Sequence, residues 1–116
     1  MPKRSKQARA REFNTSSRRI IKERDRNQCI FCRMQYHMED VTWSGPESLS
    51  IMHYIPRSHG GLGIPQNGAQ GCVSHHEMLD NGNKSRRDEM LQLFRAYLQD
   101  HYPDWSEDAL IYNKWG

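Results

Sequence analysis

No stretch of this chain approaches the ~18 consecutive apolar residues that a membrane-spanning helix needs. Its first eleven residues, MPKRSKQARAR, hold no apolar segment of the secretory kind. Cysteine is scarce: three in 116 residues, an odd number that no complete set of disulfides accommodates. There is no internal repeat and no low-complexity segment. These absences point away from a membrane protein, a secreted disulfide scaffold and a repeat array. The expectation is one small cytoplasmic domain, near the size at which a hydrophobic core alone is only modestly stabilising and a metal or partner helps.

Charge is present but unevenly placed. Residues 1–27 carry ten Lys/Arg against Glu12, Glu23 and Asp25, whereas the rest of the chain has seven basic residues against eleven acidic ones. A basic leading segment on a mildly acidic body suits contact with a polyanion, since each neutralised phosphate releases counterions. The competing reading is a solubilising tail. Residues 1–14, without apolar periodicity, are expected to be a flexible basic arm, and residues 15–116 the folded domain.

Thr15, Ser16 or Ser17 can cap a helix through RRIIKERD, with Ile20 and Ile21 facing inward. CIFC at 29–32 is a tight turn bearing two thiols, and residues 33–49 are polar and irregular. LSIMHYI predicts a strand, followed by PRSHGGLGIPQNG, a Gly/Pro-rich loop able to bring backbone close to a ligand. A helix is predicted over 74–80, stopped by Asn81-Gly82 with the glycine left-handed. Another runs over 85–101, where Met90, Leu91, Phe94, Tyr97 and Leu98 recur at the spacing of one buried face. Leu110, Ile111, Tyr112 and Trp115 are expected to pack back onto the domain.

Chemistry concentrates in two pairs, Cys29-x-x-Cys32 and Cys72-x-x-His75. Two residues between ligands let one tight turn aim both side chains at a single ion, and Zn2+ accepts thiolate and imidazole alike, so the four residues make a Cys3His set. The alternatives are three reduced cysteines buried as small hydrophobes, or a redox Cys-x-x-Cys, for which no βαβ pattern is present. His76 and Asp80 lie four apart and share a helix face. They form an N/O pair suited to a divalent ion, or a surface hydrogen bond. His75 and His76 are about 100° apart around a helix axis and point at different targets. His37, His59 and His101 are read as structural or exposed.

The order His53, Asn67, His76, framed by the two cysteine-bearing pairs, resembles the HNH endonucleases, above all the small zinc-stabilised ones of phages and prophages. HYIPRSHGGLGIPQN and CVSHHEMLDNG carry the resemblance, which extends to IIKERDRNQCIFC and YLQDHYPDW. It implies an α+β fold with a ββα-metal core (His-Me finger), a structural zinc on Cys29, Cys32, Cys72 and His75, and flanking helices. It further implies a metal-dependent DNA endonuclease, nicking duplex DNA with little sequence specificity. His53 would be the general base, and His76 a ligand of a catalytic Mg2+, Mn2+ or Ni2+, with Asp80 added as second ligand on geometric grounds. Asn67 would hold the loop that orients the base, or touch the metal directly. Arg57, Lys84, Arg86 and Arg87 would contact DNA phosphates, and a packaging terminase would be a partner. Two departures stand out: Met52 occupies the position where many members have an Asp or His metal ligand, and His75 stands for a fourth cysteine. Met52 supports the rival reading, an HNH-derived module that binds nucleic acid or protein without efficient catalysis.

Overall fold

The computed structural model describes residues 6–112, so Trp115 lies outside the described residues. In chain order the elements are α1 (Lys6–Ala10), α2 (Thr15–Arg24), α3 (Ile30–Arg33), β1 (Ser50–His53), β2 (Gly68–Gly71), α4 (Val73–Asn81) and α5 (Lys84–His101), joined by loops that contain short 3-10 turns. The fold is a small α+β arrangement around one two-stranded antiparallel sheet. No helix among the described residues is long and apolar enough to cross a membrane.

The strands pair in the register Ser50↔Gly71, Ile51↔Gln70, Met52↔Ala69 and His53↔Gly68. β1 is shorter than the strand predicted from LSIMHYI. β2, Gly-Ala-Gln-Gly, has no β-branched or aromatic residue and so no local strand tendency. Its form comes from packing: all four of its residues are buried. With side chains this small, neighbouring layers reach its backbone. A β-carbon on Gly68 would sit 2.5 Å from the Phe13 ring, and one on Gly71 2.5 Å from the Met52 sulfur.

The predicted α5 stripe is the core. Met90, Phe94 and Leu98 are fully buried and pack with Phe31, Met52, Ala69 and Leu79, while Leu91 and Tyr97 are half-buried beside them. Phe94 meets Phe31 and Tyr54 edge to face, with ring centroids 6.3 and 5.5 Å away. Met52 is a member of this core with no exposed surface. Position 52 therefore points away from solvent, and a carboxylate there would be buried among apolar side chains.

Several ends differ from expectation. Asn14 caps α2, its side chain accepting from Ser17 N, because an Asx oxygen reaches the third amide of the helix from the preceding extended residue. Of the two isoleucines, Ile21 is buried and Ile20 is exposed; adjacent helix positions diverge by about 100°. Asn83 caps α5 through Arg86 N. Gly82 is extended, with φ of −72°, so left-handed freedom is not its role. A β-carbon there would fall 2.3 Å from the Met78 carbonyl oxygen, which makes close approach the reason for glycine.

The described part of the expected flexible arm has structure of its own. Lys6–Ala10 is helical, Phe13 is buried, and the Ala10 carbonyl accepts a hydrogen bond of 2.9 Å from Gly63 N. The chain's other end returns to the same loop. Leu110 is buried, Leu62 N donates to its carbonyl at 2.8 Å, and Gly61 bridges Ile111, whose side chain stays exposed.

Candidate metal centre and histidine site

Cys29 precedes α3 and Cys72 precedes α4, each as the extended residue that caps its helix. Each thiol accepts from the amide three residues on, Cys32 N and His75 N, at 3.4 Å. Each Cys-x-x pair is thus a knuckle, and β2 carries the second against the first. His75 Nδ1 lies 3.5 Å from Cys29 Sγ, 3.5 Å from Cys32 Sγ and 3.3 Å from Cys72 Sγ, while Cys32 Sγ and Cys72 Sγ are 3.8 Å apart.

These distances can be set against the ion's own demands. Tetrahedral zinc with Zn–S of about 2.3 Å and Zn–N of about 2.05 Å requires edges of about 3.8 Å between sulfurs and about 3.5 Å between sulfur and nitrogen. The four donors fit, and all lie within 4.8 Å of one another. The His75 ring is also set for the task. Its Nε2 is 2.6 Å from the Tyr36 carbonyl, which can only accept, so Nε2 carries the proton and Nδ1 turns its lone pair toward the thiols. Burial raises the Cys29 and Cys32 thiols above their ordinary range, as expected of sulfurs that become thiolates only against a cation. Cys29, Cys32, Cys72 and His75 can therefore hold a metal ion such as zinc. A second donor group, His37, Glu39 and Asp40, is largely exposed, and its Asp40 is paired with Arg86 at 3.2 Å.

His53 ends β1 and is stacked by Phe13, with centroids 4.4 Å apart. Its Nε2 donates to the Arg11 carbonyl at 2.9 Å, which leaves Nδ1 as the basic nitrogen. Burial lowers its pKa below the ordinary histidine value, and the nearby charges of Arg57, His76 and Arg18 lower it further, against the raising effect of the Arg11 carbonyl.

Asn67 is fully buried. Its Oδ1 accepts from Ile55 N at 2.8 Å, and its Nδ2 donates to the Ile55 and Leu62 carbonyls at 3.1 and 2.8 Å. Its own carbonyl accepts from Tyr54 N. One amide therefore closes the loop that follows His53.

His76 sits on α4 with Nδ1 2.6 Å from Ser50 Oγ and Nε2 3.3 Å from Asp80 Oδ2. Among the cations named from the sequence, Arg57 is exposed beside His53 and 3.4 Å from Glu12. Arg86 pairs with Asp40, and Lys84 and Arg87 are exposed at the start of α5.

Other positions emerged only in three dimensions. Asp25, the residue that ends α2, is completely buried, with Arg24 against it at 2.8 and 3.2 Å. Asp25 also accepts from Gln70 N at 2.8 Å and from the Tyr97 hydroxyl. Burial, then the bond to Asp25, pushes the Tyr97 hydroxyl up to about 12, so it remains a donor. Arg24 donates onward to the Pro65 and Gly68 carbonyls at 2.8 and 2.6 Å, on either side of Asn67. In sequence the two look like a solvated helix end. Asp25→Asn would place an amide where four donors converge and leave Arg24 without a counter-charge; a stability loss of about 3–5 kcal/mol is expected in urea unfolding. A loss under about 1 kcal/mol would show that the pair is dispensable.

No family model, curated protein or solved structure matches this chain.

Proposed function

We propose that the chain is a metal-dependent DNA endonuclease with a ββα-metal core, nicking duplex DNA with His53 as general base. The observation that carries the reading is the fixed tautomer of His53. A strand-end imidazole with a depressed pKa and its basic Nδ1 set by a backbone acceptor suits proton abstraction from water near neutral pH. In this role Nδ1 takes the proton as the water oxygen bonds to phosphorus in line and the bond to the 3' oxygen breaks, leaving 5' phosphate and 3' hydroxyl ends. Asn67 keeps the loop closed behind the base. Arg57 offers a guanidinium fork to a neighbouring phosphate.

His76 and Asp80 would hold the catalytic Mg2+, Mn2+ or Ni2+. Their donor atoms are 3.3 Å apart, a span that bonds of about 2.0–2.2 Å can bridge. When bound, the ion would stabilise negative charge on the phosphate and its leaving oxygen. Ser50 then has a role that the sequence did not disclose: with Nε2 given to an ion, Nδ1 carries the ring proton and donates it to Ser50 Oγ, fixing the ring. The Cys3His cluster would hold a structural zinc, and the basic residues at the N-terminal end would add sequence-independent attraction to DNA. A terminase partner rests on the family resemblance alone.

A second reading is favoured by one observation: the proposed catalytic ion has only two protein ligands, both already engaged with each other, and position 52 faces the core. This describes a zinc-stabilised module that binds nucleic acid or protein without cutting. Supercoiled plasmid separates the two. The zinc-loaded protein should relax it with added Mg2+, Mn2+ or Ni2+ and not without, and His76→Ala should lose the metal-stimulated relaxation. No relaxation by a folded, zinc-loaded chain in any metal would discard the nuclease.

A further inference from the structure

We propose that residues 10–13 form a positioning strap that sets the orientation of His53, so that the part of the chain that resembles a loose basic arm is a working part of the site. The role in catalysis rests on the nuclease reading; the placement of the ring does not.

The strap is held at every residue. The Ala10 carbonyl accepts from Gly63 N at 2.9 Å, and the Arg11 guanidinium donates to the Arg57 carbonyl at 2.8 Å. The Arg11 carbonyl accepts a hydrogen bond from His53 Nε2–H, and Glu12 lies 3.4 Å from the Arg57 guanidinium. Phe13 covers the His53 ring, while its carbonyl accepts from Arg18 Nε at 3.0 Å. Two glycines make room. A β-carbon on Gly63 would lie 2.2 Å from the Glu12 carbonyl carbon and oxygen and 2.5 Å from Phe13 N, and one on Gly68 would strike the Phe13 ring. The contacts at Gly63 are with backbone, which cannot rotate away, so an alanine there must lift the strap.

The strap does two things to the imidazole. Its carbonyl selects the Nε2–H tautomer, leaving Nδ1 as the acceptor. Its aromatic ring removes water from one face, which disfavours the charged form. Arg57 from the following turn, His76 from α4 and Arg18 from α2 press in the same direction as the ring.

Gly63→Ala and Phe13→Ala, made in the full-length zinc-loaded protein, test the strap. Side-chain nitrogen NMR of His53 reads tautomer and pKa together, independently of any cleavage. In wild type a single Nε2–H tautomer titrating below about 6.5 is expected. In both variants the tautomers should mix and the pKa should rise toward 6.5, and in Phe13→Tyr, which keeps the ring, the wild-type titration should return. Nicking by Gly63→Ala should lose about ten- to a hundredfold in kcat with KM little changed, its acid limb displaced to higher pH. A wild-type tautomer and titration in both alanine variants would overturn the strap. A displaced titration in a protein whose wild type never nicks DNA would uphold the strap and remove the reaction assigned to it.

Discussion

His53→Ala is expected to slow metal-dependent plasmid nicking by about 10²–10⁴-fold, the usual contribution of a positioned general base, while zinc content and fold stay those of wild type. The site explains why the loss should be confined to chemistry. His53 contributes no donor to the Cys3His cluster, and the half-buried ring is held from outside by Arg11 and Phe13 rather than built into the α5 core. The pH dependence sharpens the test. Burial, then Arg57, His76 and Arg18, lower the His53 pKa, so the base stays neutral as pH falls from 8 to about 6.5, and the rate should decline only below that. Stability runs the same way. Between the depressed folded value and about 6.5 the unfolded chain binds more protons on His53 than the folded one, so His53's contribution is complete above 6.5 and is lost as pH drops through that window. A nicking rate already falling between pH 8 and 7 would assign the acid limb to another group.

Removing zinc should have the other large effect. Metal binding in small zinc domains is worth about 10–16 kcal/mol near neutral pH, and here the four donors come from two knuckles far apart in the chain that an ion would tie together beside the shared core. The chelated protein, or Cys29→Ser, should lose its cooperative melting transition or melt more than roughly 20 °C lower, since about 1 kcal/mol moves a domain of this size by about 4–8 °C. Wild type and His53→Ala should each bind one zinc per chain by elemental analysis, and Cys29→Ser should bind less. Melting unchanged by chelation would mean that the cluster is a set of buried thiols and no metal centre.

The parts of this architecture that were legible in the sequence are those encoded by spacing. Cys29, Cys32, Cys72 and His75 converge because each pair sits on one turn, and Met90, Phe94 and Leu98 form a face because a helix repeats every 3.6 residues. Other features had no such periodic signature. β2 is a strand through its neighbours' packing, not through its own residues. Phe13 is one apolar residue in a basic stretch, and nothing around it tells a buried ring from an exposed one. Arg24 and Asp25 read as helix-end charges because burial of an ion pair depends on carbonyls and a tyrosine contributed from 41 to 72 residues away. Met52 was legible as a missing ligand only by resemblance, whereas strand alternation places it in the core. Ser50, at the exposed start of β1, carries no mark of its contact with His76.

The glycine-rich character of β2 also bears on the order in which the chain can fold. A hairpin whose second strand is Gly-Ala-Gln-Gly gains little from its own side chains, and closing the loop between Ser50 and Gly71 costs chain entropy before any contact offsets it. α3 and α4 can each form their knuckle locally, with the thiol capping its own helix. Capture of one ion by both knuckles would hold Cys72 near Cys29 and so bring β2 alongside β1. On that route the sheet would follow metal capture, so refolding monitored around His53 and Asn67 should be slower with the metal chelated than with zinc present.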